Sequence, residues 1–132
     1  MKTIYSLLLL SIVTFLSGCA SMQVSSEVNS GRQAFIIGRN EEANAYFRSA
    51  EQKDPNYVYG TALRQGIWSY IGRTEYVAGR YPQAREALER ALSANKDENL
   101  ARLYLGLTLA QAGDRQNGLQ QIEGGLKGLQ GW

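Results

Sequence analysis

Small and apolar positions recur at helical spacing through most of this chain. Between Trp68 and Leu92, a large residue, an aliphatic and a glycine share one face in Trp68-x-x-Ile71-Gly72. A break at Ala78-Gly79-Arg80-Tyr81 follows, and a second face then reads Ala84-x-x-x-Leu88-x-x-Ala91-Leu92. Spacings of three and four place side chains on one side of an α-helix, so the stretch predicts two helices joined by a glycine turn. Upstream, Phe47, Ala50 and Glu51 form one face of a segment opened by Asn40, the expected N-cap, with Glu41 and Glu42 at the positive helix end. Pro82 falls in the first turn of one helix, where its missing N–H is harmless, and Asp114 is placed to cap another. Leu119, Ile122, Leu126 and Leu129 make an apolar stripe on the last helix. No alternating run of β-branched residues suggests a strand, so the pattern predicts an all-α protein. Two stretches stand apart. Ile4 to Leu16 is apolar except for Thr, Ser and Tyr, and Ala20 to Ser26 is small and polar without a period, which reads as a tether.

A shift of 34 residues lays Leu105-Gly106 on Ile71-Gly72, Ala112-Gly113 on Ala78-Gly79, and Gly125-Leu126 on Ala91-Leu92. An upstream copy has the same internal spacing in Gly31, Gly38-Arg39-Asn40, Ala43-x3-Phe47, Ala50 and Asp54-Pro55. The period and these residues resemble the tetratricopeptide repeat (TPR), with departures at Glu75, where the family prefers Tyr, and Lys96, where it prefers Pro. The resemblance covers roughly Val24 to Leu129 and implies an α-solenoid of about three helix-turn-helix repeats. The expected divisions are 24–56, 57–98 and 99–132. It also implies that Ala43, Ala84 and Gly118, like Ala50, Ala91 and Gly125, face a partner helix too closely for larger side chains. From Gly38 to Gly79 is 41 residues, seven beyond the period. Seven residues are about two helical turns, so the expectation is that Tyr57 to Arg64 lengthens the first helix of the second repeat backwards. Trp68 is expected to be buried between its own repeat and a neighbour.

At the other end, Met1-Lys2 is a short positive region before the apolar run. A run of about 13 residues is short for a bilayer, which needs about 20, but suits a secretory signal. Leu16-Ser17-Gly18-Cys19 resembles the lipobox of bacterial lipoproteins, which implies a signal peptide at 1–18, a lipidated Cys19 and a tether over 19–26. Small residues at Ser17 and Gly18 admit the peptidase, and the Cys19 thiol is the nucleophile that takes the diacylglyceryl group. Two or three acyl chains anchor a protein durably where one does not. By resemblance to lipoprotein sorting in Gram-negative bacteria, Ala20-Ser21 in place of an Asp implies the outer membrane, with the protein on its periplasmic face. Fully extended, Ala20 to Ser26 spans about 25 Å at most.

Charge and chemistry narrow the function. Loss of residues 1–18 removes Lys2 and no acid, leaving 13 basic residues (14 less one) against 12 acidic. That is not a nucleic-acid-binding balance. There is no His, and the one Cys is committed to lipid. Imidazole and thiol metal sites, Cys–His nucleophiles and Ser–His–Asp triads are therefore excluded, and no cofactor is implied. Glu41-Glu42, Glu86 with Glu89, and Asp97-Glu98 sit where helix starts or solvated faces put acids anyway. Gly124-Gly125 and Gly128 lack the Lys-Ser/Thr of a phosphate loop.

The remaining reading is protein binding. TPR stacks line a concave groove with the first helices of their repeats. The resemblance places Arg32, Arg73 and Leu107 there, each following a helix Gly, with Phe35, Tyr76 and Ala110 one turn on and Ser69 and Leu103 one turn before. Arg32 and Arg73 either take a partner's carboxylates in bidentate fashion or pair with neighbouring Glu residues as surface charge. The Lys/Asn pattern of TPRs that clamp a C-terminal carboxylate is not matched. The expected protein is a lipid-anchored, non-enzymatic scaffold for a cell-envelope complex. Alternatives are a self-associating structural lipoprotein and, behind both, an enzyme. The last helix, with Gly118, Gly124, Gly125 and Gly128, is intrinsically weak. It either frays after Gly124 or docks Leu126, Leu129 and Trp132 on another molecule, a second copy included. Because only a thiol forms the thioether, Cys19→Ser should remain unprocessed and take up no palmitate, as metabolic labelling and membrane fractionation will show.

Overall fold

The computed structural model describes the backbone of residues 2–131 and the side chains of 19–131. The side chains of the expected signal peptide, and Trp132, lie outside the described residues. The elements in chain order are helices α1 (Lys2–Ile36) and α2 (Asn40–Lys53), strands β1 (Val58–Tyr59) and β2 (Gln65–Gly66), then helices α3 (Ile67–Val77), α4 (Tyr81–Ala94), α5 (Asn99–Gln111) and α6 (Arg115–Gln130). Successive helices pack as antiparallel pairs, α1 with α2, α3 with α4 and α5 with α6, and α3 also touches α5. This is the expected α-solenoid of three helix-turn-helix repeats.

Each pair turns in the same way. Gly38, Gly79 and Gly113 hold φ of 79°, 75° and 99°, a conformation that suits a residue without a Cβ. After each, the next amide reaches back six residues inclusive: Arg39 to the Ala34 carbonyl, Arg80 to Glu75, and Asp114 to Leu109, all at 2.9 Å. Orphan carbonyls at the helix ends are thereby satisfied. Pro82 lies in the first turn of α4, and Asp114 accepts a hydrogen bond from the Asn117 amide at the start of α6. The expected Asn40 cap is displaced by one residue. Arg39 occupies the cap position without a side-chain bond, while Glu41 and Glu42 do fall in the first turn.

The core is continuous across the repeats. One cluster joins Val24, Val28, Phe47, Ile67, Tyr70 and Ile71; a second joins Ala84, Leu88, Ala101, Leu105 and Leu109. Trp68, half-buried rather than fully enclosed, packs against both. Close approach depends on glycine. An added Cβ at Gly31 would lie 2.6 Å from the Phe47 ring, and one at Gly106 would lie 2.6 Å from Gly118 O and Ile122 N. Gly72 would collide in the same way with Leu88. At the expected small positions, Ala43, Ala84, Ala50 and Ala91 are buried, as are Gly118 and Gly125.

Glu75 departs from the family's Tyr and has a structural reason. It is 4% exposed and accepts hydrogen bonds from Arg48 Nη2 and Asn44 Nδ2 of α2, each at 3.0 Å. It also pairs with Arg80 Nε, whose Nη1 reaches Glu41 at 2.7 Å. Burial raises its pKa, but donation from Arg80, Arg48 and Asn44 outweighs that and holds the carboxyl below its ordinary range. The network fastens the first repeat to the turn of the second.

Two expectations need correction. Tyr57 to Arg64 does not extend α3; Val58↔Gly66 and Tyr59↔Gln65 pair as an antiparallel hairpin. Pro55, Gly60 (φ 90°) and Gly66 break the helix, and the Tyr-Val-Tyr run favours strand. Ala20 to Ser26 is not an irregular tether but part of α1, because Val24 (2% exposed) and Val28, one turn apart, pack into the core. Of the two outcomes open for the last helix, fraying after Gly124 is not the one seen: α6 runs to Gln130, with Gly118 and Gly125 against the α5 backbone.

The glycines of α5 and α6 differ in what surrounds them, so substitution should act in opposite directions. Gly106→Ala gains about 1 kcal/mol of helix propensity but forces two backbones apart, a net loss of roughly 1–3 kcal/mol. At Gly124 a Cβ meets only the flexible Arg102 Cδ, at 3.3 Å, so Gly124→Ala should be neutral to stabilising. Paired urea melts measure both.

Candidate functional site

The glycines that bring α1 and α3 against their partners also aim the next residue. One step along a helix is about 100°, so Arg32 and Arg73 leave the packed side and meet on the inner face of the array. The Arg32 guanidinium lies over the Tyr59 ring, 4.0 Å from its centroid. Arg73 is ringed by Phe35, Tyr70 and Tyr104 at 5.1, 5.6 and 5.2 Å. Its Nη1 donates to Gln65 Oε1 at 2.8 Å, and its buried Nε has no acceptor. Tyr70, 4% exposed and stacked on Phe47, has a buried hydroxyl without a partner. Burial raises its pKa, and the charges of Arg32 and Arg73 act against that shift.

Neither arginine has a carboxylate within 4.0 Å among the described residues. Of the two roles expected for them, surface pairing with Glu is therefore absent. Each cation–π contact is worth about 0.5–2 kcal/mol, depending on desolvation, less than a guanidinium gains from an anion in a sheltered site. The arrangement is an anion-receptive pair on an aromatic floor.

The other sequence candidates distribute unevenly. Phe35 joins the arginine cluster. Tyr76 does not; half-buried, it packs against Tyr81 and Tyr104 with centroids 5.9 and 5.5 Å away. Ser69 is fully buried and cannot line a groove, because its face of α3 points into the core. Leu103 and Leu107 are half-buried on α5, and the backbone of Leu103 abuts Gly125 of α6. Three site residues lay outside the expected set. Tyr70 and Tyr104 are related by the same 34-residue shift, a signal present in the sequence. Tyr59 comes from the hairpin, which helical spacing could not place. Cys19 is exposed.

A second feature is a cleft of about 790 Å³ at one edge, lined in part by Tyr57, Arg64, Trp68, Arg90 and Glu98. Arg90 there is already committed, 4.5 Å from the Trp68 ring and hydrogen-bonded to Glu86, and Arg64 is exposed at the hairpin tip. Glu98 is 4% exposed, and its two oxygens accept from the Gly66 amide at 3.2 and 3.3 Å, pinning the end of the hairpin to the start of α5. Burial pushes its pKa up, against the Ser69 hydroxyl, the Gly66 amide and the Arg73 charge. Among the described residues, no group of three His, Cys, Asp or Glu could hold a metal ion, and no helix is long and apolar enough to cross a membrane.

Residues 71–123 match the family model described as tetratricopeptide repeat. No curated protein sequence matches the chain. Among solved structures, the second TPR of Spaghetti (RPAP3), bound to the HSP90 peptide SRMEEVD, is 19% identical with a TM-score of 0.68, covering 80% of this chain and 91% of its own. The Arabidopsis OM64 TPR domain is 12% identical with a TM-score of 0.71, covering 82% and 84%. MamA is 18% identical with a TM-score of 0.66, covering 83% and 60%. The fold is that of a TPR solenoid.

Glu98 gives the hairpin anchor a pH dependence. A carboxyl whose pKa is raised on folding stabilises the fold fully below its unfolded value, and that stability is lost as pH rises through the folded value. Glu98→Gln keeps an acceptor for Gly66 without the buried charge. It should therefore match the wild type in thermal melts near pH 4 and exceed it increasingly as pH rises to 8.

Proposed function

We propose that this chain is a scaffold that binds an acidic segment of a protein partner on the inner face of its repeats, and that a lipid on Cys19 holds it to the outer membrane within a cell-envelope complex. One observation carries the binding: two arginines without a carboxylate converge on an aromatic surface. Supporting it, the RPAP3 relative carries a peptide with two glutamates and an aspartate on the same fold, as protein-interaction TPR domains do. The anchor fits the path of α1. Val24 enters the core five residues after Cys19, a helical rise of only about 7–8 Å, so the first repeat would ride directly on the membrane surface.

Self-association is the second reading, favoured by Leu119 and Leu126, which stand 65% and 45% exposed on α6. One experiment separates the two. Arg32→Glu/Arg73→Glu reverses both charges and should weaken capture of the cross-linked membrane partner by well over tenfold. That corresponds to the roughly 2–5 kcal/mol of a desolvated charge pair. Circular dichroism should be unchanged, and light scattering should give a monomer for both proteins. Undiminished capture would return the arginines to ordinary surface charge, and a dimer mass would favour self-association.

A further inference from the structure

The seven residues by which the first repeat interval exceeds the second add no helix to the solenoid. The equivalent link between α4 and α5 manages with Asn95–Glu98 alone. The longer link instead sends both strands of its hairpin to the arginine pair. From β1, Tyr59 covers the Arg32 guanidinium at 4.0 Å; from β2, Gln65 accepts from Arg73 at 2.8 Å. One insert thus occupies both guanidinium groups of the inner face.

Its hold is built to be weak. The hairpin has two residue pairs, and a two-stranded ribbon is marginal by itself. Residues 60–64 at its tip are exposed. Its backbone attachment to the rest of the fold is at the base, where the Ile67 amide donates to the Tyr57 carbonyl at 2.9 Å and Gly66 donates to Glu98, while the partly buried rings of Tyr57 and Tyr59 rest against the first core cluster. The two groups offered to the arginines, a ring face and a neutral amide oxygen, are each poorer partners than a carboxylate, whose charge-assisted bonds are about twice as strong. The buried Arg73 Nε and Tyr70 hydroxyl also stay unsatisfied beneath it.

We infer that the hairpin Val58–Gly66 is an intramolecular strap, occupying the arginine pair in the free protein and yielding it to an acidic partner segment. This rests on the groove reading above. Glu98 at the base keeps the displaced strap tethered, so it can swing from the groove without unfolding α3.

The test uses the full-length chain and a fluorescein-labelled peptide of alternating Asp and Phe with a free carboxy terminus, read by anisotropy. A site open only part of the time has its affinity reduced by the open fraction, so releasing the strap should tighten binding about tenfold. Tyr59→Ala/Gln65→Ala, which leaves the helices and the Glu98 anchor in place, should show this gain. Deletion of Val58 to Arg64, which restores the 34-residue interval, should do the same. Gln65→Glu, which supplies Arg73 with a tethered carboxylate, should bind about tenfold more weakly than wild type. Equal affinity in the wild type, the double variant and Gln65→Glu overturns the strap and leaves the groove standing. Weaker binding by the double variant, with an unchanged melt, also overturns it, since Tyr59 and Gln65 would then be part of the peptide site. Binding by none of the proteins overturns groove and strap together.

Discussion

Each helix pair depends on a glycine that lets a bulky side chain, or a second backbone, sit directly against it. Gly31 receives the Phe47 ring, Gly72 the Leu88 side chain, and Gly106 the Gly118 carbonyl and Ile122. Phe47, Leu88 and Ile122 hold equivalent places in the three second helices. This contact sets the distance within each pair, and through it the layer of first helices that forms the inner face. It also sets direction. With Gly31 and Gly72 locked toward the second helices, the residues after them must turn away, which puts two arginines on the same surface. Packing and site are one constraint seen from two sides.

The pairs are not held to one another equally. Between the first and second, apolar burial is reinforced by Glu75, reached by two donors from α2 and one from the turn between α3 and α4. A buried carboxylate with a lowered pKa stabilises the fold above its unfolded value and loses that contribution as pH falls through the folded one. The third pair relies on backbone-to-backbone approach. Gly118 meets the Ala110 amide and Gly125 meets Leu103 and Asn99, so large side chains such as Leu119 and Leu126 are turned outward. Close packing of α6 and the apolar surface it presents have the same cause.

Charge placement then separates structural from available cations. Arg48 and Arg80 serve Glu75, Arg85 and Arg90 pair along α4, and Lys127 pairs along α6. Arg32 and Arg73 have aromatic rings and an amide instead. A guanidinium in such surroundings keeps its capacity for a bidentate anion, which is the basis of the recognition proposed for the inner face. The edge cleft offers an arginine already bound to Glu86, an exposed Arg64 and a carboxyl already bound to Gly66.

Features governed by near neighbours in the chain were open to inspection of the sequence. The three glycine turns, Pro82 in its first turn, the Asp114 cap, the small residues at equivalent positions and the matching of Arg32 with Arg73 all follow from local geometry repeated at a period. So, in principle, did the Tyr70 and Tyr104 pair and the helical continuation through Val24 and Val28. Tertiary structure decided the rest. Whether Tyr57 to Gly66 became helix or hairpin turned on breakers competing with a length that suited two helical turns, and its landing place was set by Arg32 and Arg73 on other elements. The burial of Ser69 and the half-exposure of Trp68 depended on which neighbouring helix lay across them. Glu75 looked like a lapse in a motif until Asn44, Arg48 and Arg80 were brought round it. A periodic sequence specifies which faces must meet, but only the folded neighbours determine which polar groups find partners there, and that Arg32 and Arg73 meet rings and an amide rather than an acid is legible only once every acid has been placed.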